Sequence, residues 1–198
     1  IFLFISGYAR DKSYLDLVKA EKQLQSLFDS LYLAESVRKE EVLIEINALM
    51  QEALSLEGAM EYPWEKLDKI GVRTSRDAKL RVFTWHIRDS DDAYRYFGYL
   101  QVAVRRNRIG VFPLMDNHKP QSSLFNVDQT CDNWYGKLYY GIVQTSIRRK
   151  HYYTLLGLDY NDSRSNIKTI EVIRIHRNEP RFEQQFFANE GDRVDRVV

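Results

Sequence analysis

The apolar residues of this chain change their spacing once, near Lys79, and that change sets the fold class. Before it, Tyr14, Leu17, Val18, Leu24, Leu27, Phe28 and Leu31 recur at helical spacing over residues 13–34. Ser13 stands where an N-cap is expected. A second stripe of Val42, Ile46, Leu49, Met50, Ala53 and Leu54 runs over 37–57, with Gly58 as its natural C-cap. The two helices should pack antiparallel, with their stripes turned into a core. A connector follows over 59–78. There Pro63 breaks helix, Trp64, Leu67 and Ile70 plug the gap beneath it, and residues 74–77 read as a turn.

After Lys79 the period falls to two. Strands are expected over 80–87, 94–104, 109–115, 137–147, 151–158, 167–175, 182–187 and 193–198. They are rich in β-branched and aromatic residues, as strands prefer. Short connections predict antiparallel neighbours. The exception is 116–135, a long loop carrying His118 and Cys131, and loops of that length often carry function. The expected architecture is therefore α+β: a helical hairpin (10–58), a connector (59–78) and an antiparallel β-meander of about eight strands (79–198).

The composition supports a packed globule and excludes several classes. Apolar residues make up 44% and aromatic residues 13%, which excludes disorder. One cysteine, Cys131, cannot form an internal disulfide, so a disulfide-stapled module is excluded while export is not. No run of about 18 apolar residues is present to span a membrane as a helix. Residues 1–9 read as the remnant of a signal peptide, with an apolar Ile1–Ile5 run and small residues at Gly7 and Ala9; a buried strand or a helix start is the other reading. The last six residues stop inside an alternating run, which reads as a fragment of a longer protein.

Lys and Arg number 29 against 28 Asp and Glu, a balance that excludes a general nucleic-acid binder. Strand order nevertheless separates the charges. In a meander, alternate connections share one end. One end collects Asp89, Asp91, Asp92, Asp116, Asp128, Asp132, Asp159, Asp162, Glu190 and Asp192. The other collects Arg105, Arg106, Arg108, Arg148, Arg149, Lys150, His176, Arg177 and Arg181, with Glu179 its one acid. At the acidic end, Asp159, Asn161 and Ser163 place oxygens at alternate positions, as Ca²⁺ loops do, though without the glycine and distal glutamate of an EF-hand. Asp and Asn are equally good turn residues. At the basic end, a polyanion contact competes with a set of solvated, aggregation-resistant tips.

Catalytic motifs are missing: there is no nucleophile elbow, P-loop, zincin helix or dinucleotide fingerprint. A Cys131–His118 nucleophile pair on the long loop is conceivable by sequence alone. Tyr94, Tyr96, Trp134 and Tyr139 are candidate ligand-binding rings, since exposed aromatics on a sheet stack on sugars; a sheet buried on both faces would claim the same rings for its core.

The segments Trp134–Tyr140, Tyr152–Asp159 and Lys168–Val172, with Tyr62–Trp64 and Leu80–Trp85, resemble a group of uncharacterised exported proteins of Bacteroidetes over about residues 60–190. The resemblance implies export to the periplasm or outer membrane and an α-then-β layout, and brings no catalytic residue. The leading expectation is a non-enzymatic envelope protein that binds a glycan or protein partner, with no cofactor beyond a possible Ca²⁺. The alternatives are a metal-assisted hydrolase at the acidic end, which needs Asp159 to meet Asp89, Asp91, Asp132 or His118 in one pocket, and a scaffold fragment of a larger protein.

Overall fold

The computed structural model describes residues 2–88, 93–104, 108–117, 129–160, 165–183, 187–189, 192–194 and 196–197. Two helices, α1 (Phe2–Leu33) and α2 (Ser36–Ser55), are joined by two residues. Phe2–Ala9, read as a signal-peptide remnant, lie within α1. Leu17, Leu24, Phe28 and Leu31 of α1 and Val42, Ile46, Met50 and Leu54 of α2 are buried. Ser13 does not cap a helix: it sits inside α1, and its hydroxyl donates to the Glu57 carbonyl at 2.5 Å. That contact joins the early part of α1 to the chain just past α2, so the helices run antiparallel. Gly58 is likewise not the cap. Leu56 takes that position, and Gly58, at φ +82°, turns the chain three residues past the helix end.

The connector is tied down by buried polar groups. Trp64 is buried, and its indole N–H donates to the Ala59 carbonyl at 3.1 Å. Arg81, only 6% exposed, donates to the carbonyls of Ala59 (3.1 Å) and Tyr62 (2.8 Å) and to the Thr74 hydroxyl (2.8 Å). Glu21 of α1 accepts from the Tyr62 hydroxyl at 2.7 Å and the Lys66 N–H at 2.9 Å. Polar groups removed from water need such partners, and here they fix the connector between helix and sheet.

The strand pairs among the described residues are all antiparallel, as expected of a meander, and the meander is divided between two main sheets. The first has the order β1 (Gly71–Thr74), β2 (Leu80–Arg88), β3 (Tyr94–Ala103), β4 (Ile109–Leu114). β1 was expected as connector and turn. Its four residues pair with β2, Gly71 opposite Thr84. The second contains β5 (Leu138–Ile147), β6 (Lys150–Asp159) and β7 (Ile167–His176) in sequence order. β8 (Glu179–Phe182) and β11 (Arg196–Val197) pair with successive stretches of β7. β9 (Phe187–Asn189) and β10 (Asp192–Val194) form a separate hairpin. The break between sheets falls at the long segment after β4, where Asp116 bridges to Trp134.

Strand alternation sorts side chains into layers. Phe83, Trp85 and Ile87 of β2 and Tyr99 of β3 face the helices; Trp85 stacks on Phe97 (5.6 Å) and meets Phe28 edge-on (5.4 Å). Leu80, Val82, Tyr96 and Leu100 face the second sheet, against Tyr139, Tyr153, Leu155 and Ile173. The molecule is thus three layers: helices, first sheet, second sheet. The first sheet is covered on both faces. The second is covered on its inner face.

Candidate functional site

Of the sequence candidates, Tyr96, Trp134, Tyr139 and Asp159 converge in the inter-sheet layer. Tyr96, Trp134 and Tyr139 are each 2% exposed or less, and Tyr94 is half-buried. The expected stacking platform is therefore corrected for three of its four rings. They face inward because β2, β3, β5 and β6 turn these positions toward one another.

Asp159, at the end of β6, is 1% exposed. One carboxylate oxygen accepts from the Tyr96 hydroxyl at 2.8 Å and the other from the Tyr135 hydroxyl. The Tyr96 oxygen in turn accepts the Tyr160 N–H at 2.7 Å. Burial, with the Asp159 carboxylate behind it, raises the Tyr96 phenol far above its ordinary value, so it stays a donor. Asn161 and Ser163, the other expected Ca²⁺ ligands, lie outside the described residues, as do Asp89, Asp91, Asp92, Asp162 and His118. Among the described residues no cluster of three acids, histidines or cysteines is arranged to hold a metal.

Beside this carboxylate lies a second, which sequence spacing does not single out. Glu171 of β7 and Lys137, just before β5, are 1% and 0% exposed and form an ion pair. The same Glu171 oxygen accepts from Gln129 Nε2 at 2.5 Å. Its other oxygen accepts from the Tyr139 hydroxyl at 2.7 Å, which itself accepts from the Trp134 indole at 2.9 Å. The Lys137 ammonium lies 4.7 Å from the Tyr135 ring centre, a cation–π contact. Tyr135 joins the two carboxylates, since its hydroxyl reaches Asp159 and its N–H donates to Gln129 Oε1 at 3.1 Å. Asp116 fastens the same segment, accepting from the N–H groups of Tyr96 (3.0 Å) and Gly136 (3.1 Å). Gly136 is required there, because a Cβ would sit 2.5 Å from the Asp116 carboxyl carbon.

Around the Asp159 side, the rings of His86, Tyr94 and Tyr160 pack at centroid distances of 5.1–5.4 Å. Burial lowers the His86 pKa below its ordinary value, which keeps the imidazole neutral. Cys131 is no activated nucleophile. Burial, then Asp132 and Glu179, push its thiol up to about 12. Asp132 lines a cavity of about 570 Å³ with Glu179, Gln129 and Cys131, and Asp159 is not part of that wall. The expected acidic end is thereby altered: Asp132 lines a cavity with Glu179, which sequence order places at the other end, and Asp116 and Asp159 are engaged as internal acceptors.

The arrangement is a connected hydrogen-bond network that locks the segment 129–137 between the sheets. Comparison with protein families, curated proteins and solved structures finds no match to this chain.

Proposed function

We propose that the chain is a non-enzymatic exported protein of the cell envelope, docking a protein partner on the outer face of its second sheet. The supporting observation is an open apolar face that ends in a strained cationic tip. Val143, Ile147 and Ile170 point away from the core and are 50%, 49% and 37% exposed, while Val172 on the same side is covered at 1%. Register places Val143 beside Thr154 and Leu156 beside Ile170 on this same side. Arg148 and Arg149 close the β5–β6 hairpin at φ +51° and +66°. A two-residue turn of that kind favours Asn-Gly, and each non-glycine residue at such φ costs about 1–2 kcal/mol. Strain of this sort gathers at working sites. With exposed Lys150 and Lys168, the two arginines give the apolar face a basic rim. A partner surface with an apolar strip and acidic flanks complements it; a second copy of the same face would set like charges together.

The glycan reading loses support because three of its four rings, Tyr96, Trp134 and Tyr139, are internal. The hydrolase reading loses support because both buried carboxylates are already engaged.

A photo-crosslinking residue placed at 143 tests the proposal in the protein's own cells, with a crosslinker at Ile44, exposed on α2, as control. The expected result is one discrete protein adduct from position 143, absent from position 44 and lost in Arg148→Glu/Arg149→Glu. No excess adduct at 143 would overturn it. So would equal charge-dependent binding of the purified chain to phosphatidylglycerol vesicles, which would make the face a lipid contact.

A further inference from the structure

Lys137 and Glu171 form a sealed amine–carboxyl pair, and their surroundings suit a reaction between them as well as an ion pair. We propose that the folded chain joins them by an amide bond from Nζ to Cδ, with loss of water. The inference does not depend on the docking face.

Four features of the site carry it. Both side chains are excluded from water, at 0% and 1% exposure, and their polar atoms are in contact. Burial at that level removes the bulk solvation that favours two separate charges over a bond between them. The carboxyl group is held by two further donors, Gln129 Nε2 at 2.5 Å on one oxygen and the Tyr139 hydroxyl at 2.7 Å on the other. Donors in those positions stabilise negative charge as it develops on a carboxyl oxygen. The lysine stem lies against Gly157, where a Cβ would come within 2.6 Å of Lys137 Cδ; the glycine is what lets the stem lie flat across β6.

The reaction balances within the site. One Nζ proton passes to the Glu171 oxygen it already contacts, the one Gln129 also holds, giving an amine and a carboxylic acid. The Nζ lone pair adds to Cδ, and the carbonyl electrons move onto the oxygen held by Tyr139. A second Nζ proton passes to the hydroxyl, the C–O bond breaks with its electron pair on the departing oxygen, and one water leaves. The nitrogen keeps one hydrogen, as an amide does. Tyr139 donates to the oxygen on which negative charge develops. Gln129 also lines the cavity of about 570 Å³, which gives the water an exit. The bond would span β6 and close a loop between residues 34 apart in sequence, in a chain whose one cysteine gives it no internal disulfide.

Mass spectrometry of the purified, denatured full chain tests this. The wild type should be about 18 Da lighter than its sequence mass, while Lys137→Arg and Glu171→Ala should have their full sequence masses. Trypsin should fail to cut after Lys137, and a branched peptide should carry that lysine joined to Thr169–Arg174. The readout is on unfolded chain, so a variant that folds poorly still reports. A wild type at full sequence mass with cleavage after Lys137, or a water loss mapped elsewhere, would overturn the proposal.

Discussion

Replacing Lys137 by methionine is the most informative single perturbation of the inter-sheet layer. Methionine keeps the length of the stem lying over Gly157 and removes the cation. Glu171, 1% exposed, then keeps the Gln129 and Tyr139 donors but loses the lysine cation. Removing one partner of a buried pair costs about 3–5 kcal/mol, because the remaining charge loses its ion-pair partner away from bulk water, and loss of the proposed amide adds to that cost. At about 2–4 °C per kcal/mol for a domain of this size, melting should fall by about 6–20 °C. Adding Glu171→Gln removes the stranded charge but keeps an oxygen for Tyr139 and Gln129. The double variant should therefore be more stable than Lys137→Met by about 1–4 kcal/mol. Urea unfolding monitored by tryptophan fluorescence measures both, Trp134 being part of the network. A single variant within about 1 kcal/mol of wild type, or a double variant no more stable than the single, would refute the reasoning.

Three other outcomes are expected. Gly157→Ala should destabilise by about 1–3 kcal/mol in the same unfolding assay, since its Cβ would meet Thr169 Oγ1 at 2.5 Å and Lys137 Cδ at 2.6 Å. His86 has a folded pKa below 6.5, so the unfolded chain binds its proton more readily; the stability it contributes is full above pH 6.5 and is lost as pH falls through and below that value. His86→Phe should flatten that part of a melting-temperature profile, and an unchanged profile would count against it. Native Cys131, its thiol pushed up to about 12, should react with iodoacetamide at pH 8 roughly a thousand-fold more slowly than in urea.

The helical hairpin and most strands are legible in the sequence because each has one clear apolar face. Leu17, Leu24 and Leu31 leave no doubt about α1, and Leu80–Ile87 reads as a strand whichever face is inward. The division into two sheets is not legible. It depends on where the chain goes between Met115 and Lys137, and local spacing carries no information about that. β1 escapes detection because four residues, Gly71–Thr74, are too few to establish a period. The ion pair escapes for a different reason. In β7, Thr169, Glu171 and Ile173 share one face while Ile170, Val172 and Arg174 share the other, so each face offers apolar residues and one charge. Only pairing with β6 decides that Glu171 goes inward and Ile170 outward. The candidate rings are legible as residues, but the sequence leaves both sugar stacking and burial open, and the structure buries Tyr96, Trp134 and Tyr139. Their density in the sequence reflects a doubly covered sheet, and Asp159 is the partner that two of the neighbouring tyrosines require.

The second sheet is closed on its inner face and open on its outer face at Val143, Ile147 and Ile170, where we propose that a partner docks. Thiol accessibility tests this most directly. In a Cys131→Ser background, single cysteines at Val143 and Ile170 report the outer face, and at Leu155 and Ile173, both 0% exposed, the inner. Maleimide should label the outer pair at nearly the rate of an unfolded thiol and the inner pair only on unfolding. Outer positions that label as slowly as Leu155 and Ile173 would mean the face is covered, and the docking surface would be lost with it.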